Sequence, residues 1–373
     1  MEANAGLGIR ANVLAMSPYV PGKPIEDVRR ELGLERVVKL ASNENPFGPS
    51  PLAVAAVREA AANMHLYPDG SSRELREAIC AKFGVGEENV ILGNGSDEII
   101  HLLGVMFLDG DDDELMMGDP GFSRYDASAF LAASRLKKVP LDAEYRHDLS
   151  RMAAEVTEAT RLIFVANPNN PTGTIVRRTE FERFLDALPP HVLVVLDEAY
   201  GEFAAHIEDY PTSLDYVREG RNVVGLRTFS KAYGLAGLRI GFGFAPPAVT
   251  DAFHRAREPF NVNSLAQAAA VAALQDDAHV AKTAAANREG VARLNAIFRS
   301  VGAVPVESFA NFAYADLGYD AGPVFQALMQ RGIIVRAGAH VGHPHCLRVS
   351  VGTPEEIDAF EAAFREVAAE KRG

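Results

Sequence analysis

The chain has 373 residues, 48% hydrophobic and 23% charged, enough for one large domain with a smaller one beside it. Its formal charge of −13, from 37 basic and 50 acidic residues, argues against general binding to nucleic acid, which needs basic patches. Two cysteines, Cys80 and Cys346, in no C-x-x-C or metal-ligand spacing, argue against a disulfide framework and for a reducing compartment.

Residues 1–47 read as an arm plus one strand. The stretch SPYVPGKP (17–24) is too rich in proline for a regular helix, and the short apolar run Val37–Ala41 leads into Asn43-Glu44-Asn45-Pro46. The opening MEANAGLGIRANVLAM lacks the basic-then-apolar layout of a signal peptide. No apolar run approaches the roughly 18 residues of a membrane span, so a cytoplasmic protein is expected.

From residue 48 helical patterns alternate with short apolar runs. Helices are expected over 50–63, 72–83, 96–108 and 122–133, with strands at 90–92 and 114–117. The continuous apolar runs Leu162–Ala166 and Val192–Leu196 suit strands buried on both faces, and 223–226 and 239–244 read as further strands. Such βα alternation predicts an α/β domain over 48–262, a mostly parallel sheet covered by helices. Beyond 263 an Ala-rich helical stretch to 300, broken near Asp276-Asp277, is followed by strands at 311–317, 333–336 and 347–351 and helices at 323–331 and from 354. This alternation suits a small α+β domain.

Four segments carry chemistry. In Thr228-Phe229-Ser230-Lys231-Ala232-Tyr233-Gly234-Leu235-Ala236-Gly237-Leu238-Arg239 a lysine stands among hydroxyls and an arginine. A lysine amine in a confined site forms an imine with an aldehyde, and Thr228, Ser230 and Arg239 suit a phosphate dianion. The run Val194-Val195-Leu196-Asp197 puts an acid at the carboxyl end of a buried strand, where open α/β sheets bind ligands. Such an acid could instead cap a helix or hold Mg²⁺, but no G-x-x-x-x-G-K-[ST] loop supports nucleotide binding. Asn167-Pro168-Asn169-Asn170-Pro171-Thr172-Gly173 follows another buried strand, and alone it is an ordinary turn. Gly93-Asn94-Gly95-Ser96-Asp97-Glu98 opens a helix, whose N-terminal N–H groups favour an anion. Glu98 breaks the dinucleotide G-x-G-x-x-G pattern.

Together and in this order, the segments resemble the fold-type I, pyridoxal 5'-phosphate (PLP) dependent aminotransferases over essentially the whole chain. The runs Pro18–Pro24, 41–51, Tyr67-Pro68-Asp69-Gly70 and Leu347–Gly352 are similar to the branch acting on histidinol phosphate. The resemblance implies a large PLP-binding domain with a smaller α+β domain. It makes Lys231 the catalytic residue that holds PLP as a Schiff base, and it pairs Asp197 with the cofactor's ring nitrogen. Asn170 and Tyr200 then meet the ring oxygen, Phe122 stacks on the ring, and Gly95, Ser96, Asp97, Thr228, Ser230 and Arg239 surround the phosphate. Tyr67 would reach the phosphate in a neighbouring subunit, implying a homodimer with shared active sites. Tyr19, Asn43, Arg336 and Arg348 fall to the substrates, histidinol phosphate and glutamate/2-oxoglutarate.

Three other readings compete: an aromatic amino-acid aminotransferase, a PLP-dependent decarboxylase on the same scaffold, and a non-enzymatic ligand sensor. The last would carry an added DNA-binding domain, for which this acidic chain offers no room. The histidines of Ala337–His345 and the acidic run Asp109–Glu114 read as solvated loops. The former lacks an acid or cysteine spacing for a metal, and the latter lacks the glycine of a calcium loop.

Overall fold

The computed structural model describes residues 8–16, 18 and 23–370. Thirteen strands occur among them. In chain order they are β1 (Val38–Lys39), β2 (Val90–Gly93), β3 (Glu114–Asp119), β4 (Arg135–Pro140), β5 (Thr160–Ala166), β6 (Leu193–Asp197), β7 (Val223–Thr228), β8 (Gly241–Phe244), β9 (Val304–Val306), β10 (Phe312–Asp316), β11 (Ile333–Ile334), β12 (Arg336–Ala337) and β13 (Cys346–Ser350).

Seven strands form one sheet in the order β2-β8-β7-β6-β5-β3-β4. Only β8 runs antiparallel to its neighbours; the other pairings are parallel. The mostly parallel α/β architecture expected from the apolar runs is therefore present. Every residue of β6 is buried, as a strand covered by helices on both faces requires.

The polar edge strand β4, absent from the expected elements, buries only Val139. Its sequence RLKKVP has no apolar run to announce it, since an edge strand needs only one covered face. The helices Leu149–Ala154 and Arg178–Ala187 were also not anticipated. In the arm, Ile25–Leu32 is a helix that buries only Val28, so its pattern reads as polar throughout.

The C-terminal unit is a four-stranded antiparallel sheet, β12-β13-β10-β9, backed by Ala321–Gln330 and Pro354–Glu370. The expected single strand 333–336 divides. β11 pairs with β1 in a separate two-stranded sheet, while β12 joins β13. Val38 and Leu40 accordingly lie in the C-terminal core.

The expected boundary at 263 falls just before helix Ser264–Leu274. Helix Ser264–Leu274 places Ala266, Ala269, Ala270 and Ala273 in a core with Ala53, Leu75, Val90 and Phe242 of the large unit. Small alanine side chains let this helix approach Pro51–Ala60 and Arg73–Phe83 closely. The change of core falls inside the next helix, Asp277–Ser300, whose Leu294, Ile297 and Phe298 enter the C-terminal core. No helix among the described residues is long and apolar enough to cross a membrane.

Candidate active site

The carboxyl ends of β5, β6 and β7, with the loop after β2, open on one side of the sheet, where open α/β sheets bind ligands. A cavity of about 1190 Å³ lies there, completed by the C-terminal unit and the arm. Asn43, Ser96, Asp97, Phe122, Asn170, Asp197, Tyr200, Thr228, Ser230, Lys231, Arg239, Arg336 and Arg348 all line it. Motifs separated by up to three hundred residues thus converge on one space.

Asp197 ends β6 with 4% of its surface exposed. Its Oδ2 accepts from the Tyr125 hydroxyl at 2.6 Å and its Oδ1 from the Ala199 N–H at 3.0 Å. Burial pushes this carboxyl up to about 6, against the opposing pull of those two donors. Asp97 and Glu198 add like charge. A buried carboxylate so placed favours a cationic N–H partner.

Lys231 donates to the Ser42 carbonyl at 3.3 Å and lies 5.7 Å from the centre of the Tyr200 ring. Burial, reinforced by the positive charge of Arg348, holds its amine down at about 8. About a tenth of the amine is then neutral at pH 7, able to attack a carbonyl.

The loop after β2 starts helix Ser96–Phe107, with Gly95 at φ +74°. A Cβ on Gly95 would lie 2.6 Å from Arg239 Nη2, and one on Gly241 would lie 2.5 Å from the Ser96 N. The two glycines therefore keep the helix N-terminus, Arg239 and β8 in close approach. Arg239 donates to Asp97 Oδ2 at 3.2 Å, and Thr228 Oγ1 accepts the Ser230 N–H at 3.1 Å. Hydroxyls, a guanidinium and helix N–H groups form a donor set suited to a phosphate dianion. With Lys231 and the buried Asp197, this set fits a phosphorylated pyridine aldehyde.

Arg348 on β13 donates to Asn170 Oδ1 at 2.6 Å and to the Ala41 carbonyl at 2.7 Å. It faces Arg336 in register across β12 and β13, so both guanidinium groups leave the same face of the sheet.

Three expected site residues have different surroundings. Tyr67 is 85% exposed, outside the cavity, and stacks on Phe260 with ring centres 4.9 Å apart. Tyr19 lies outside the described residues. Asn43 lines the cavity, but its carboxamide donates to the Tyr200 hydroxyl at 2.9 Å and accepts from Ser350 Oγ at 2.7 Å. Its backbone carbonyl takes Asn311 Nδ2 at 2.9 Å. With φ +55°, Asn43 is a bridge that sets Tyr200 rather than a purely substrate-facing group.

Tyr125, Ser350 and Asn311 escaped the sequence reading. Tyr125 stands three residues beyond Phe122, a spacing that puts both near one side of a helix, but nothing in sequence ties it to Asp197. Val13, Ala15 and Met16 of the arm also line the cavity, and no motif in the sequence marks them. Arg10 fastens this segment by donating to the Leu131 carbonyl at 2.8 Å.

Residues 35–364 match the family described as aminotransferase class I and II. Over 361 residues the chain is 52% identical to the histidinol-phosphate aminotransferase of Moorella thermoacetica, covering 96% of this chain and 93% of that protein. It is 46% identical to histidinol-phosphate aminotransferase 2 of Carboxydothermus hydrogenoformans, covering 94% and 97%. The crystal structure of histidinol-phosphate aminotransferase from Sinorhizobium meliloti, in complex with pyridoxal 5'-phosphate, is similar with a TM-score of 0.91 at 29% identity, covering 98% of this chain and 99% of that one.

Proposed function

Because the chain belongs to the aminotransferase class I and II family, we propose that it uses PLP to move the amino group of L-histidinol phosphate to 2-oxoglutarate, giving imidazole-acetol phosphate and L-glutamate. One observation carries the reading. A single cavity holds an amine depressed to about 8, a buried carboxyl raised to about 6 and two register-paired arginines. The relatives named above supply the substrate.

PLP, when bound, supplies the aldehyde that captures an amine and a ring that withdraws electrons. Asp197, held in place by Tyr125 and Ala199, would pair with the ring nitrogen and favour its protonated form. Tyr200, set by Asn43, and Asn170, set by Arg348, would orient the ring oxygen. The backbone N–H groups of Gly95, Ser96 and Asp97, the hydroxyls of Ser96, Thr228 and Ser230, and the Arg239 guanidinium would hold the phosphate, and Phe122 would cover the ring. Lys231 Nζ would hold the aldehyde of the cofactor and, when neutral, would take up the proton leaving the amine-bearing carbon of the substrate. Arg336 and Arg348 hold the distant anion of each substrate. Tyr67, exposed beside Phe260, serves the site of a second copy in a homodimer.

The test is kcat/KM for L-histidinol phosphate and for L-phenylalanine, each with 2-oxoglutarate. A preference of several hundred-fold for histidinol phosphate is expected. Comparable values, or a preference for phenylalanine, would replace the substrate and leave the amino transfer standing.

A further inference from the structure

The anionic ends of the two substrates differ. A phosphate monoester carries nearly two charges at neutral pH on three oxygens, whereas either carboxylate of glutamate carries one charge on two. One guanidinium fork satisfies a carboxylate in a bidentate pair. A phosphate in the same place leaves a further acceptor to be met.

The turn that follows β12 enters the same cavity as the two arginines. Residues Gly338–Val341 form a tight 3₁₀ turn. The His343 N–H closes it on the Gly338 carbonyl at 3.0 Å, and the Gly342 N–H on that of Ala339 at 3.2 Å. Gly338 admits no side chain, since a Cβ would lie 2.4 Å from the His343 carbonyl. His343 fastens the turn from below. Its Nδ1 hydrogen-bonds the Tyr314 hydroxyl at 2.8 Å, and the Tyr145 ring meets its edge at 5.3 Å. Tyr314 is itself opposite Arg348 on the neighbouring strand. His340, at the exposed crest of this anchored turn, lines the cavity with Arg336 and Arg348.

We propose that His340 determines specificity by donating a third hydrogen bond to the phosphate of the amine substrate, leaving the carboxylate of glutamate to the arginines. The proposal rests on the substrate reading above and extends it to the choice between two anions. Desolvation, then Arg336 and Arg348, hold the imidazole below its ordinary range against a hydrogen bond to the Ala337 backbone, which favours the neutral ring in the free site. A dianion among the three groups opposes the field of the arginines and draws a proton onto His340. A monoanion does so more weakly. Arg124, Asp126 and Tyr314 also line this cavity, and the helix Ala321–Gln330 behind the turn brings no charged group.

The experiment uses holoenzyme of the wild type, His340→Ala and His340→Gln. The ratio of kcat/KM for histidinol phosphate to that for glutamate is expected to fall about tenfold in His340→Ala, and less in His340→Gln, which keeps a neutral donor. Separately, inorganic phosphate is titrated while the His340 C2–H resonance, identified by its absence in His340→Gln, is followed by NMR. The midpoint of that resonance is expected to rise by about one pH unit. An unchanged ratio in His340→Ala, or a resonance indifferent to phosphate, overturns the proposal. If wild type ignores histidinol phosphate while inorganic phosphate still shifts His340, the substrate reading fails and the anion contact stands.

Discussion

The Tyr125 hydroxyl donates to Asp197 Oδ2 over 2.6 Å, between residues 72 apart in the chain. Tyr125 is buried and its ring stacks on Phe164 with centres 4.4 Å apart, so the hydroxyl is fixed in place. Its bond lowers the pKa of Asp197 against the larger effect of burial. Tyr125→Phe keeps the stack and removes the donor, so Asp197 should titrate above its present value of about 6. The acid limb of the kcat/KM profile is expected to move to higher pH, with activity at pH 7 down about tenfold, as suits a hydrogen bond to a charged group. A pH–rate profile and a melting curve on the same variant separate this from unfolding.

What sequence reveals of this site follows from where each residue's partner lies. Lys231, Asp197 and Asn170 stand just after buried strands, and apolar runs ending in polar residues announce such positions directly. Tyr125 acts on a residue from another element and has no local signal. The same holds for Asn311 and Ser350, which fix Asn43 from β13 and the segment before β10. For the fold, the interior strands β5 and β6 were legible because both faces are covered. β4 was not, because only Val139 is buried. Ser264–Leu274 was legible as a helix but not as part of the large unit. An alanine-rich surface fits either core, and contact with Ala53 and Leu75 decides the matter.

Lys231 links burial to reactivity. Its amine is held at about 8 by desolvation first and Arg348 second, and a lowered lysine gains its neutral form as pH rises through that value. The rate at which apoenzyme captures added PLP, followed by visible absorbance, is expected to climb through a midpoint near 8. Arg348→Gln removes the second cause and should carry the midpoint upward. Lys231→Ala should yield no adduct that borohydride can trap.

The glycine at the helix start makes a sharper claim. Gly95→Ala combines φ +74° with a Cβ 2.6 Å from Arg239 Nη2, so the guanidinium must leave its place beside Asp97. Gly110 also has positive φ, at +77°, but a Cβ there meets nothing within 4 Å. Both substitutions incur backbone strain on the order of 1–3 kcal/mol. Only Gly95→Ala is expected to raise the PLP dissociation constant, by about tenfold or more. Cofactor binding measured by fluorescence beside a denaturation curve distinguishes the two effects.

Glu202 predicts the pH dependence of stability. It is buried 4.0 Å from Arg227 Nη1, while Arg227 Nη2 donates to Glu198 at 3.3 Å. Burial raises the Glu202 carboxyl to about 7, with Arg227 opposing and Glu198 adding to the rise. Between the ordinary value of 4.5 and about 7 the folded chain binds a proton that the unfolded chain releases. The contribution of Glu202 is therefore greatest below 4.5 and is lost as pH rises through 7. The loss amounts to about 3–4 kcal/mol, taking roughly 1.4 kcal/mol for each unit. Glu202→Gln stays neutral at every pH and should abolish this dependence. Its stability relative to wild type is expected to improve from pH 5 to pH 8 in denaturant unfolding. A constant difference across that range would mean that Glu202 is ionised in the folded protein, with Arg227 shared between two carboxylates.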